Sequence, residues 1–152
     1  YGWQFSDEQV NILPTRSKRL NILGFMNQAN KLHTFENEGS INAAFVVASI
    51  DKWITEIQIK NTEKMTVLVL DNAPIHHSEL FKKQIEIWQE KNLFIFFLPK
   101  YSPHLNKIET LWRKTKYEWI RPEDYSSFND LKQAVRNIFS LVGEKYKINF
   151  KS

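Results

Sequence analysis

Apolar residues recur along this chain in two rhythms, one of period two and one of steps of three and four, and the switches between them mark the elements. Tyr1, Trp3 and Phe5 alternate with Gly2, Gln4 and Ser6, the pattern of a half-buried strand, and Asp7 keeps the same parity at its far end. Asn11 to Pro14 reads as a turn or short extended piece. Leu20, Ile22 and Gly24 to Met26 form a second strand suited to an antiparallel partner. The polar return Asn27 to Lys31 leads to a weaker third strand around His33 to Glu36. After Gly39, Ser40 is placed to cap a helix on which Ile41, Ala44, Phe45 and Ala48 recur toward Trp53 and Ile57.

The second half changes character. Thr66 to Leu70 is an unbroken β-branched and leucine run, which predicts a strand buried on both faces. Phe81, Ile85 and Trp88 mark an amphipathic helix, and Leu93 to Leu98 predicts another buried strand, stopped by Pro99. Strand, helix, strand implies a right-handed parallel crossover. From Leu105, the positions Ile108, Trp112, Thr115 and Trp119 give a helix limited by Pro122. Ser127 with Asp130 resembles a capping box ahead of Phe128, Leu131, Val135, Ile138, Phe139 and Val142. The order is three strands, helix, strand, helix, strand, helix, helix. A meander followed by two parallel additions predicts an α/β fold, a ribonuclease H-like mixed five-stranded sheet flanked by helices, with ligands gathering at the carboxyl ends of central strands.

Composition narrows the class. A chain of 152 residues fits one domain, spanning 1–152, and an apolar fraction of 42% with 25% charged residues excludes wholesale disorder and fibrous architecture. No apolar run approaches the roughly 20 residues a membrane helix needs, and the first residues lack a signal-peptide layout, so a cytoplasmic protein without a membrane partner is expected. The chain has no cysteine, which removes disulfides and thiolate zinc sites and leaves carboxylates, histidines and carbonyls as metal ligands. Such ligands favour hard cations, Mg2+ or Mn2+. A net charge of +4 suits a polyanionic partner such as DNA. A first residue Tyr1 in place of Met, just before a candidate acid, suggests a fragment, a trimmed chain or a broken reading frame.

Three acids are placed to meet. Asp71 leaves a buried strand, Glu109 sits on a helix beside its packing face, and Asp7 ends the first strand with Glu8 beside it. Phosphodiester cleavage needs a nucleophilic water and a neutralised leaving oxygen, which two cations about 3.5 to 4 Å apart supply. Three crowded carboxylates repel, so metal binding and ionisation are coupled. Each acid also has a plainer reading. Asp71-Asn72-Ala73-Pro74 could simply end a strand in a turn. Glu109 and Arg113 could form a solvated helical ion pair of roughly 0.3 to 0.5 kcal/mol, and Asp7 or Glu8 could be a surface acid.

The stretch Leu70-Asp71-Asn72-Ala73-Pro74-Ile75-His76-His77-Ser78, followed by Leu98-Pro99-Lys100-Tyr101-Ser102-Pro103-His104-Leu105-Asn106-Lys107-Ile108-Glu109-Thr110-Leu111-Trp112, resembles the catalytic core of DDE transposases, in the bacterial insertion-sequence branch of the mariner-like superfamily. The resemblance extends to Phe5-Ser6-Asp7-Glu8 with Pro14 and to the strand Asn21-Ile22-Leu23-Gly24, nearly the whole chain. It implies that Asp7, Asp71 and Glu109 are the catalytic triad and the ligands of two Mg2+ or Mn2+ ions, with 37 residues between the last two. The chain departs from the family at Lys107, where a proline would preset the first helical turn; lysine adds a mobile cation there and is expected to shift the helix start slightly.

Neighbouring residues fit the same reading. His76 could hydrogen-bond an acid or a phosphate at the mouth of the site, or be a surface loop histidine; Asn72 and Asn106 could anchor the loops carrying the two acids. Lys100, Lys107, Arg113, Lys114 and Lys116 put positive charge where DNA phosphates would approach, or form a solvated face. Arg16, Lys18 and Arg19 form a small basic loop. Trp112 and Trp119 follow the apolar stripe and are expected in the core. The resemblance implies a metal-dependent DNA endonuclease and strand transferase acting on transposon ends and target DNA, as a homodimer on DNA, nucleoid-associated when bound. The helix-turn-helix modules of family members have no counterpart here, so this chain is expected to be the catalytic part alone. The alternatives are a ribonuclease H-like nuclease that only hydrolyses, and an inactive remnant that still binds DNA.

Overall fold

The computed structural model describes residues 18–58 and 63–151. The strand expected at Tyr1 to Phe5, the turn at Asn11 to Pro14, Asp7, Glu8, Arg16 and the side chain of Ile57 lie outside the described residues. Within them the order is β1 (Asn21–Met26), β2 (Leu32–Asn37), α1 (Ala43–Gln58), β3 (Thr66–Leu70), α2 (Glu79–Glu90), β4 (Leu93–Phe97), α3 (Lys107–Lys114) and α4 (Phe128–Ser140). This is the expected sequence of elements.

β1 and β2 pair antiparallel from Asn21 opposite Asn37 to Met26 opposite Leu32. β3 and β4 pair parallel from Thr66 opposite Leu93 to Leu70 opposite Phe97, as a strand-helix-strand unit requires. Among the described residues these are two separate pairs rather than one five-stranded sheet. They nevertheless lie in one layer, because both send alternate side chains into the same two cores. Leu23, Phe25, Leu68, Leu70 and Leu93 face α1 and α2, while Ile22, Met26, Val69 and Leu98 face α3 and α4. Helices therefore cover both faces, the layering of an α/β fold.

Three local expectations change. α1 is capped by Asn42, not Ser40: the Asn42 Oδ1 accepts the Phe45 N–H at 2.9 Å, a capping geometry that an Asn side chain two residues nearer the helix satisfies directly. Its buried face is Val46, Val47, Ile50, Trp53 and Ile54, with Ala44 and Ala48 exposed, since larger side chains at the same spacing remove more apolar area from water. β3 and β4 are not buried on both faces. Val67 is 41% exposed and Phe96 is 56% exposed, on the side opposite α1 and α2. The eight-residue α3 packs over β1 and leaves the start of the parallel pair open. An apolar groove of about 650 Å³, lined by Val67, Val69, Phe96, Leu98, Leu105 and Phe150 among others, results.

Two features fix α3 against the sheet. A Cβ at Gly24 would stand 2.8 Å from the Trp112 ring and 3.0 Å from Ile108 Cδ1, so the bare backbone of β1 is what lets α3 approach. Beyond Lys114 the helix widens into a π-turn over Thr115–Trp119, closed by the Ile120 N–H on the Thr115 carbonyl at 3.0 Å, before the turn at Pro122. Trp112 is buried against Phe139 and Trp119 is half-buried against Tyr146, both in the core as expected. α4 starts at Ser127, whose Oγ accepts the Asp130 N–H at 3.0 Å, and is tied to β2 by a two-bond Arg136–Glu36 pair at 2.8 and 2.7 Å. No described helix is long and apolar enough to cross a membrane.

Candidate active site

β3 ends at Leu70, and the next residue turns its carboxylate out of the sheet. One Asp71 oxygen, Oδ1, accepts the Ala73 N–H at 3.0 Å, so the strand-ending turn foreseen as the plainer reading does form. The turn also builds something else. Pro74 opens a short 3-10 turn, Pro74–His77, that folds His76 back under Asp71. The His76 Nδ1 lies 2.9 Å from the Asp71 carbonyl oxygen and 3.3 Å from Oδ1, and with two acceptors in front of it this nitrogen carries a proton and donates. His76 is completely buried between Phe81 and Phe97. It holds the aspartate from beneath and does not sit on the surface.

Burial raises the Asp71 carboxyl pKa, but the hydrogen bond from His76, the Ala73 N–H and the His76 charge together outweigh it, and the net shift is downward. The site thus favours the ionised carboxylate before any cation arrives. A metal ligand needs that form.

Asn72 ties the ends of the two parallel strands together. Its Nδ2 donates to the Leu98 carbonyl while the Leu98 N–H donates to the Leu70 carbonyl at 2.7 Å, extending the ladder by one side-chain rung. The Asn72 Oδ1 in turn faces His77 Nε2 at 3.3 Å. Asn72 thus ties the Asp71 loop to the Leu98 backbone.

Glu109 enters from α3, whose first turn it occupies, with its N–H donating to the Asn106 carbonyl at 3.2 Å. Asp71 and Glu109 line one cleft of about 190 Å³, together with Asn72, Asn106, Lys100, Tyr101 and the segment between Leu98 and Pro103. The two acids nominated from separate elements meet there. Asn106 is 3% exposed, and its side-chain oxygen is buried with no hydrogen-bond partner among the described residues. Unlike Asn72, it anchors its loop through its backbone alone. Among the described residues no three histidine or acidic side chains gather to hold a metal ion; Asp7, the expected third, lies outside them.

The basic residues divide. Lys100 stands exposed at the cleft, whereas Lys107 opens α3 on the side of the apolar groove. Arg113 is exposed, Lys114 pairs with Glu118 at 3.2 Å, and Lys116 lies 5.2 Å over the Tyr117 ring. Sequence reading missed Tyr101, which is 98% exposed at the rim with a φ of 58°. It also missed Gly24, whose role is visible only once α3 is in place.

The geometry agrees with what comparison finds. The family model for DDE superfamily endonucleases matches residues 1–132. The chain belongs to this superfamily. Among solved structures, the chain is similar to the catalytic domain of Mos1 mariner transposase, with a TM-score of 0.62 at 14% identity over 88% of this chain and 67% of that one. It is similar to the Mos1 mariner paired end complex with Mn, with a TM-score of 0.62 at 18% identity over 95% of this chain and 46% of the other. It is also similar to the Mos1 paired-end complex with left transposon end, with a TM-score of 0.60 at 17% identity over 91% and 44%. The chain thus spans less than half the length of the Mos1 chains in these two complexes. The fold they share with this chain is ribonuclease H-like. No curated protein matches the chain.

Proposed function

We propose that this chain is the catalytic part of a DNA transposase, which cuts at transposon ends and joins the freed 3′-hydroxyl to target DNA with two Mg2+ or Mn2+ ions. One observation carries the reading: Asp71 and Glu109, from separate elements, line the same cleft at the carboxyl ends of the parallel strands in a chain of this superfamily. The Mos1 complex with Mn supports a divalent cation as the cofactor, and the Mos1 complex with a transposon end supports double-stranded DNA as the partner.

The donor set fits a hard cation. Asp71 is held ionised by His76 and Ala73, Glu109 adds a second carboxylate, and Asn106, whose buried side-chain oxygen has no partner among the described residues, lines the same cleft. Asp7 is the proposed third carboxylate. Bound divalent cations would supply an activated water or hydroxyl and neutralise charge on the leaving oxygen. The chain's own contribution is placement. The Asn72 rung and the buried His76 keep Asp71 rigid at the strand end, Gly24 lets α3 bring Glu109 down onto the sheet, and Lys100 at the rim attracts a phosphate. Arg113, Lys114, Lys116 and Lys107 extend the basic surface. DNA-end recognition would come from a separate part, a pair of copies would act on the two ends, and the working compartment is the cytoplasm at the nucleoid.

The deciding experiment is incubation of the chain with transposon-end DNA and Mn2+, scoring nicked and joined products. Nicks and joints that both vanish in Glu109→Gln are expected. Free 3′ ends without joints would favour a hydrolytic nuclease, and no cleavage at any metal concentration would leave only a DNA-binding remnant.

A further inference from the structure

Among the described residues of the cleft, Asn106 has a buried side-chain oxygen with no hydrogen-bond partner. Its carboxamide oxygen is shut off from solvent and has no partner among the described residues, although the residue is 97% buried by its 3% exposure and lines the cleft shared by Asp71 and Glu109. A bare buried acceptor costs a fold on the order of 1–3 kcal/mol. Leucine, with the same branched side-chain skeleton and no polar atom, would carry no such cost.

Nor does the side chain serve the turn it sits in. Asn106 stands in the N-cap position of α3, where an Asn normally accepts a backbone N–H, yet it makes no side-chain cap bond. Its backbone does the local work, through the N–H on the Pro103 carbonyl at 3.0 Å and the carbonyl under the Glu109 N–H at 3.2 Å. Those bonds would survive any side chain that leaves the backbone N–H in place. Glu109 follows one helical turn later, so the orphan oxygen and the carboxylate share the same end of α3.

Resting on the proposed cation site, we infer that the Asn106 side-chain oxygen is a further, neutral ligand for a divalent cation held between Asp71 and Glu109. Asn carbonyls are ordinary ligands of hard cations. An oxygen already stripped of water needs no dehydration when a cation arrives, so the stability forgone in the metal-free fold returns as affinity. A neutral ligand also adds coordination without adding to the repulsion between the acids.

The test is Mn2+ titration of the full chain, followed by the loss of the free-ion paramagnetic signal, together with thermal melts without metal. Asn106→Leu should weaken Mn2+ binding about tenfold or more, the least expected even for an outer partner, while the metal-free melting temperature stays the same or rises. Asn106→Asp, which keeps an oxygen in place, should bind Mn2+ at least as tightly as the unaltered chain. In the unaltered chain, Mg2+ should move the Asn106 side-chain carbonyl 13C resonance. Unchanged Mn2+ affinity in Asn106→Leu, with Glu109→Gln weakened, would overturn the inference and leave the cation site standing. Unchanged affinity in both would overturn the site as well. A lowered metal-free melting temperature in Asn106→Leu would mark the side chain as structural and overturn the inference too.

Discussion

The Trp112 indole occupies the space a side chain at Gly24 would need, with a Cβ built there only 2.8 Å from two ring carbons. The contact joins the strand β1 to the helix that carries Glu109, so it sets how deep that acid reaches over the sheet. Gly24→Ala is expected to destabilise the chain by about 1–3 kcal/mol, as overpacking does in tight cores. It should also lower Mn2+ affinity by displacing α3. Denaturant melts and metal titration on the one variant read both.

His76→Phe replaces a buried donor with a ring of similar size between Phe81 and Phe97, leaving the Asp71 carbonyl and Oδ1 without its hydrogen bond. Burial already pushes the Asp71 carboxyl upward, so with His76 gone its pKa should rise toward or above the ordinary 3.8. In the metal-free chain the lowered carboxyl contributes stability above its unfolded pKa, and that contribution is lost as pH falls through the folded value. The variant should therefore lose stability at neutral pH and show a weaker further loss on acidification below 3.8. Carboxyl 13C titration and melts at several pH values check the two halves.

Asn72→Ala removes the rung between the ends of β3 and β4 and leaves the Leu98 carbonyl short of a donor. A loss of about 0.5–1.5 kcal/mol is expected. Hydrogen exchange should quicken at the Leu98 amide, which bonds the Leu70 carbonyl beside it, and stay unchanged in the β1–β2 pair.

Lys100 is exposed at the cleft rim. If it meets a phosphate, Lys100→Ala should weaken DNA binding similarly for all sequences and reduce the slope of log affinity against log salt by about 1. Lys132→Met, which breaks the Lys132–Glu38 pair at 2.9 Å on another element, should leave that slope unchanged. Fluorescence anisotropy across a salt series separates them.

Much of this arrangement was legible before any coordinates. The period-two and three-to-four rhythms placed β1, β2, the helices and the two parallel strands in order, because side-chain alternation follows from backbone geometry alone. Asp71 and Glu109 were nominated from motif context, and Asn72 from its place beside Asp71. The alternation did not reveal how much of each strand is covered. Thr66 to Leu70 and Leu93 to Leu98 read as fully buried, yet Val67 and Phe96 stand exposed because coverage depends on where α3 and α4 lie. The strand expected at Tyr1 to Phe5 and the acid Asp7 lie outside the described residues.

By itself, then, the order of residues determined which segments extend, which coil, and which acids belong to the motif, all properties of short stretches and their spacing. Only the tertiary structure decided that Asp71 and Glu109 share one cleft, that His76 lies buried beneath the first, and that the Asn106 oxygen is left without a described partner. Those are relations between residues far apart in the chain. They depend on which surfaces the two cores bring together, and no local pattern records that.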